Sequence, residues 1–371
     1  MAGDNVKNPI AQFMREKRTA LTRHIKHVRF LAKAPKSALR MANGFLRARI
    51  LKQSRVRNCQ MALTFTCNHS CKMCSSNLLL HADKKDMTLE QWCAAVDQLK
   101  ELGCTHFDLT GGEPTLRGLD FLAALISHIT KDRDSIVSIA TNGKIIDEHW
   151  LRALNSAGLN SMLLNIQSLR PGVHDEIAAS PGNLEKIKTL IPLAKKVGLN
   201  VCINTCLGSY NIDDIRELVV WCGENDLFTL INLATPTGRL VGQDVRMTKF
   251  QEEYYRMLKT YPMMRSDTSY NYRGQNLCPG GIEKLYITTY GDVIQCTFCQ
   301  ISFGNILKTP LTEIYKRFTA HPLIKKRDIC KHSFNTEFRK EWIEPICAMP
   351  NVPVPLEQHP NYCLYCKPSE P

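Results

Sequence analysis

Cys67-Asn68-His69-Ser70-Cys71-Lys72-Met73-Cys74 is the stretch on which the reading of the whole chain turns. Three cysteines fall within eight residues, with three and then two residues between them. A thiolate is the soft ligand that holds iron–sulfur clusters and zinc. Three thiolates from one tight loop can cap three corners of a cubane cluster and leave the fourth iron open to chemistry. A structural zinc site, or cysteines packed as small hydrophobes, would use the same residue type. Just upstream, Met61-Ala62-Leu63-Thr64-Phe65-Thr66 is short and β-rich, which predicts a strand delivering the loop.

Downstream the chain alternates. Thr88-Leu89-Glu90-Gln91 reads as a capping box opening a helix to Gly103. The periodicity then predicts strands over 105–109, 136–140, 161–166, 200–206 and 228–233, and helices over 119–129, 147–157, 183–196 and 212–223. Six strand–helix alternations predict an α/β fold built on a parallel barrel or an open sheet. The polar, glycine-bearing stretches Thr110-Gly111-Gly112-Glu113-Pro114, Thr141-Asn142-Gly143 and Gln167-Ser168 all fall at carboxyl ends of strands, where such folds bind ligands.

The chain has 371 residues, enough for one large α/β domain and a smaller one. Sixteen cysteines in a chain this long suit metal better than a small disulfide scaffold. The first 24 residues lack a signal-peptide core, and no run of 18 apolar residues occurs, so a reducing, cytoplasmic setting is expected. The net charge of +13 is concentrated. Residues 1–58 carry fifteen Lys/Arg against Asp4 and Glu16, while the other 313 residues balance 33 basic against 33 acidic side chains. In this arm Ile10, Phe13, Met14, Leu21, Ile25 and Val28 recur at helical spacing, Pro35 interrupts, and Leu39, Ala42, Leu46 and Ile50 share a second face. Two basic amphipathic helices are expected. They suit packing across the body with a solvated basic face, or peripheral contact with an anionic inner-membrane surface through residues 1–58. The scarcity of aromatics among the basic residues disfavours nucleic acid.

Cys67, Cys71 and Cys74 at the end of one strand, with Gly111-Gly112-Glu113-Pro114 after the next, resemble the radical SAM superfamily over about residues 59–240. The resemblance implies a partial (β/α)6 TIM-like barrel whose three cysteines hold a [4Fe-4S] cluster. It implies S-adenosyl-L-methionine on the open iron, a 5′-deoxyadenosyl radical that abstracts hydrogen from a C–H bond, and a cellular reductant such as ferredoxin or flavodoxin. Cofactor contacts would fall on Gly111, Gly112, Glu113 and Pro114, with Gly112 and Glu113 toward the methionyl amine. Thr141, Asn142, Asn165 and Ser168 match positions of polar contacts to ribose and carboxylate. Met73 stands where the family is often aromatic, with an adenine contact made through its backbone.

In the C-terminal third, an expected helix from Thr248 to Leu258 joins the core to a cysteine-bearing segment. Leu285 to Cys296 alternates as a hairpin turning at Gly291-Asp292, so Cys278 and Cys296 come together. Cys363 and Cys366 can supply two further corners of a four-thiolate site; a zinc ribbon is the competing reading. The spacing from Cys278 through Gly291 to Cys296 resembles the SPASM/twitch extension of radical SAM enzymes, implying an auxiliary [4Fe-4S] cluster. Cys299, Cys330 and Cys347 are then left over, for a second cluster or a structural role. Cys93, Cys104, Cys202, Cys206 and Cys222 read as buried, inert thiols, and the proline-rich stretch 345–360 as a loop near the barrel mouth. The domains expected are residues 1–58, a basic helical arm; 59–245, the radical SAM core; and 246–371, a linker helix and a small iron–sulfur domain. The substrate readings are a lipid-linked or amphiphilic molecule, a ribosomally made peptide, or a sugar or nucleotide. A non-catalytic iron–sulfur protein would require the Gly111–Pro114 match to be a coincidence.

Overall fold

The structure, a computed structural model, describes residues 35–243, 261, 263–266, 272, 277–325, 335–347 and 349–362. Its elements in order are α1 (Pro35–Arg49), β1 (Asn58–Thr64), α2 (Leu89–Glu101), β2 (His106–Gly111), α3 (Leu119–Thr130), β3 (Ile136–Thr141), α4 (Glu148–Ser156) and β4 (Ser161–Asn165). There follow α5 (Pro171–Ala178), α6 (Asn183–Lys196), β5 (Asn200–Leu207), α7 (Ile215–Glu224), β6 (Phe228–Leu233) and β7 (Met264–Arg265). The C-terminal part holds β8 (Lys284–Ile287), β9 (Asp292–Cys296), β10 (Cys299–Asn305), α8 (Leu311–Ala320) and β11 (Val354–Pro355). The expected helix from Thr248 to Leu258 lies outside the described residues, as do Cys330, Cys363 and Cys366.

Local signals explain most of these elements. Thr88 accepts from Gln91 N while the Gln91 side chain accepts from Thr88 N, closing the capping box that starts α2. Asp147 caps α4 by accepting from Trp150 N. α5 is a helix that periodicity over eight residues does not reveal; Pro171 stands in its first turn, where a missing N–H is harmless.

β1 to β7 pair in parallel and in chain order, and the order across the whole sheet is β11-β10-β9-β8-β1-β2-β3-β4-β5-β6-β7. This is the α/β, partial-barrel architecture expected. Along β4, β5 and β6 every second side chain is fully buried, and Met162, Leu164, Ile203 and Ile231 belong to the main apolar core. The intervening positions, which are half-exposed, therefore face the barrel interior. The C-terminal part continues the same sheet: β8 pairs in parallel with β1, matching Gln60 to Tyr286, and the β9–β10 hairpin extends it. The stretch 345–360 is more ordered than a loop, since Val354 and Pro355 pair with Ile301 and Ser302.

α1 crosses the amino ends of the strands. Arg40 pairs with Asp134, which directly precedes the strand region of β3, and donates to Lys100 O at 2.9 Å. Arg49 donates to Tyr272 O at 2.8 Å, and Tyr272 N donates to the Glu283 carboxylate just before β8. Gly44 is required here, because a Cβ would lie 2.3 Å from the Tyr272 ring. The face expected from Leu39, Ala42, Leu46 and Ile50 points outward; Ser37, Met41, Gly44 and Ala48 are buried instead.

Candidate active site: three thiols at the carboxyl end of the sheet

The cysteine loop leaves β1 and is held by its neighbours on several sides. Lys72 N donates to Ile177 O at 2.9 Å, and the Lys72 and Glu176 side chains pair. Across the loop, Arg239 N donates to Cys74 O at 3.0 Å and Arg239 Nη1 to Cys71 O at 3.2 Å. Gly238, at φ +60°, permits that approach; a Cβ there would stand 2.1 Å from Cys74 O. Met73 packs beside Leu240, Ala234, Cys206 and Tyr210. The β6 tip thus closes over the cysteine loop, and Arg239 is a site residue whose role depends on contacts that spacing does not show.

The second signature is built against the first. Gly112 N donates to Thr64 O at 2.7 Å and Glu113 N to Thr66 O at 2.9 Å. A Cβ on Gly111 would come within 2.1 Å of Thr64 O, and one on Gly112 within 2.3 Å of Thr66 O. Both glycines are needed for close backbone approach, and Gly111 adds a φ of +131°. Glu113 is 1% exposed, and burial raises its carboxyl above the ordinary range despite the bonds it accepts. It accepts from Thr115 N and Oγ1, from Thr141 Oγ1 at 2.8 Å and from Asn142 N at 2.8 Å. With four donors on it, the carboxylate braces the β2 and β3 tips and presents the backbone around Gly112. Pro114 opens the short 3-10 turn after it.

Asn142 completes this brace by donating to Asn68 Oδ1 at 2.7 Å, inside the cysteine loop. Ser168 is fully buried and gives its hydroxyl to Asp214 at 2.6 Å, while Arg170 pairs with the other oxygen of Asp214 at 2.7 Å. Ser168 therefore sets the loop after β4. Asn165 belongs to a ladder on the inner face: Asn204 donates to Asn165 Oδ1 at 2.8 Å, and Asn232 donates to Asn204 Oδ1 at 3.2 Å. Asn204 and Asn232 sit at register positions that isolated strand patterns do not connect.

The thiols suit a cluster. Cys71 is pushed up to about 12 by burial and by the neighbouring Cys74 and Cys67 sulfurs, and Cys67 is raised by burial first. Three adjacent thiolates are costly without a cation to neutralise them, and iron supplies that. His69 N donates to Cys67 Sγ at 3.4 Å, the kind of bond that stabilises a ligating sulfur. A cubane puts each of three thiolates on a different iron, which suits three cysteines carried by one loop.

The C-terminal cysteines are partly within view. Cys296 and Cys299 face each other across the β9–β10 hairpin, and Gln295 Nε2 lies 4.0 Å from Cys278 Sγ. This puts Cys299, left over by spacing, in the Cys278–Cys296 neighbourhood. Cys347 packs against the core edge and is pushed up to about 11 by burial. The two cysteine sets are close: Gln300 donates to Ser75 O at 3.0 Å. The buried Tyr286 hydroxyl lies within electrostatic reach of both Cys74 and Cys296. Of the thiols expected to be buried and inert, Cys104 and Cys222 are buried and Cys93 is half-exposed; Cys59, outside that set, is buried. Cys202 and Cys206 instead occupy inward-facing positions on β5, and Tyr210 Oη donates to Cys206 Sγ at 3.2 Å.

Residues 61–222 match the radical SAM superfamily, and residues 278–344 match SPASM, an iron–sulfur cluster-binding domain. The chain is 23% identical over 286 residues to the AdoMet-dependent heme synthase of Nitratidesulfovibrio vulgaris, covering 69% of this chain and 77% of that protein. It is 23% identical over 313 residues to the PqqA peptide cyclase of Rhizobium meliloti, covering 77% and 76%. Streptococcus suis SuiB bound to its precursor peptide SuiA superposes with a TM-score of 0.58 at 18% identity, covering 77% of this chain and 70% of that one. anSMEcpe with bound AdoMet and a peptide gives 0.54 at 18% identity, covering 78% and 88%.

Proposed function

The chain is a radical SAM enzyme with a SPASM domain, and we propose that it modifies a residue of a peptide substrate. Its cofactors are a [4Fe-4S] cluster, S-adenosyl-L-methionine and an auxiliary iron–sulfur cluster. Bound at the mouth, the cluster and S-adenosyl-L-methionine would supply one chemistry, reductive cleavage to a 5′-deoxyadenosyl radical able to take hydrogen from a C–H bond.

The protein's own contribution is placement. Cys67, Cys71 and Cys74 hold the cluster; Arg239 and Asn142 fix the loop that carries them. Gly111 and Gly112 let the β2 backbone reach the cofactor, with Glu113 setting its position. Gln300, buried, ties the two cysteine-bearing segments together by donating to Ser75 O and Thr297 O. Cys278 and Cys296, with Cys363 and Cys366 proposed from spacing, would hold the auxiliary cluster, which would supply one-electron chemistry there.

The amide ladder Asn165–Asn204–Asn232 carries the peptide reading. It lies on the barrel's inner face, and the Asn165 N–H2 and Asn232 carbonyl ends make no hydrogen bond among the described residues. One end donates and the other accepts, which suits the C=O and N–H groups of separate residues along a peptide backbone. Two of the likenesses above are to proteins crystallised with peptides, and one relative is a peptide cyclase; these favour a peptide over the lipid-linked substrate expected first.

The test uses anaerobically reconstituted, reduced protein and perdeuterated peptides encoded in reading frames beside its own gene. Deuterium should appear in 5′-deoxyadenosine together with a mass change in one peptide. Unlabelled 5′-deoxyadenosine with every peptide unchanged would refute the reading.

A further inference from the structure

α1 has two faces with opposite environments. Ser37, Met41, Gly44 and Ala48 are buried against the amino ends of the strands. On the opposite side Leu39, Leu46 and Ile50 are 73%, 52% and 66% exposed, and Leu51 continues the stripe at 55%. Lys36 and Arg47 flank it on one side, Lys52 comes next, and the helix holds no acidic residue. Single exposed leucines are ordinary, but a row of them bordered by cations marks a contact surface.

We propose that this face docks on an anionic lipid surface, with the stripe in the headgroup–acyl boundary and the basic side chains against phosphates. Charge separates this occupant from the others. Residues 1–34 carry eight Lys/Arg against two acidic residues, and a second copy would bring the same basic helix. Either would set cation against cation along the stripe, whereas an anionic bilayer accepts the apolar and basic groups together. The basic charge before α1 adds to that attraction.

The position of α1 fixes an orientation. Its contacts are with Lys100, Asp134, Tyr272 and Glu283-linked backbone at the amino ends of the strands. The cysteine loop, Gly111–Pro114 and the asparagine ladder are at the other end. A chain docked through α1 turns its mouth away from the bilayer and takes substrate from the aqueous side. This inference stands on α1 and is independent of the peptide reading.

Full-length protein is sedimented with vesicles of equal parts phosphatidylcholine and phosphatidylserine, and with pure phosphatidylcholine vesicles. It should pellet with the first and stay in solution with the second. Leu39→Asp with Leu46→Asp should lower the partition about tenfold per leucine, with circular dichroism, Tm and S-adenosyl-L-methionine cleavage as in the parent. On vesicles, hydrogen exchange should slow in residues 36–54 and stay at solution rates in 66–80. Failure to pellet with anionic vesicles, equal pelleting by the double variant, or an altered oligomeric state of that variant would each overturn the docking face. Protection of 66–80 would overturn the orientation.

Discussion

The two ends of the parallel sheet are furnished with different chemistry. At the carboxyl ends, backbone N–H groups, asparagines, threonines and thiols converge, and the buried Glu113 is spent on bracing two strand tips. At the amino ends, charges are paired off: Asp134 meets both Arg40 and Lys100, and α1 covers the floor with its apolar stripe outward. One end keeps oriented dipoles and sulfurs for a ligand, while the other uses charge to anchor a helix. Changes at the mouth should therefore cost chemistry, and changes at the floor should cost stability or location.

The largest separation of the two ends is expected from Gly112→Val. Its side chain would collide with the Phe65 and Thr66 carbonyls, displacing the backbone proposed to meet the cofactor, so S-adenosyl-L-methionine cleavage should fall about a hundredfold or more. Retained cleavage would mean that close approach at Gly112 is not needed. Cys296→Ala should leave cleavage of S-adenosyl-L-methionine measurable while product is lost and the auxiliary iron count drops. An unchanged iron count would remove Cys296 from the ligand set. Arg239→Ala acts on the exposed side of the loop, where solvent screens the charge, so cleavage should fall only about threefold. At the floor, Arg40→Ala should lower unfolding free energy by about 1–2 kcal/mol without changing the cleavage rate. An activity loss there would show that the two ends are coupled.

The smallest effect concerns pH. Burial alone would raise the Asp134 carboxyl, but the Ser135 hydroxyl, Arg40 and Lys100 outweigh it and hold it below the ordinary carboxylate range. Its stabilisation is present above the unfolded carboxyl's pKa and is lost as pH falls through the lower folded value. The Tm gap between parent and Arg40→Ala should therefore shrink in acid; a constant gap would mean that the ion pair is not its source.

Much of the mouth is legible in sequence because its signals are local. Three thiols within eight residues come after a short β run, and the capping box at Thr88 marks where α2 begins. Gly111 and Gly112 are legible as glycines, though the reason for them, the carbonyls of Thr64 to Thr66, appears only when β1 and β2 are paired. The asparagine ladder was out of reach, since Asn165, Asn204 and Asn232 meet only through the register of three strands. Ser168 matches a cofactor position, and its bond to Asp214, a partner 46 residues on, is not visible in the sequence pattern. At the floor, periodicity finds the faces of α1 without saying which is buried. Gly44 decides that by admitting the Tyr272 ring, and Tyr272 is more than two hundred residues away. The C-terminal cysteines are scattered across strands, so spacing alone set Cys299 aside although the hairpin puts it opposite Cys296.

The direct test of the mouth as a radical-generating centre is the 5′-deoxyadenosine formed by anaerobically reconstituted, dithionite-reduced protein with S-adenosyl-L-methionine, parent beside Cys71→Ala. The parent should form it and Cys71→Ala should form none. Equal amounts from both, or none from the parent with its full iron content, would contradict the account.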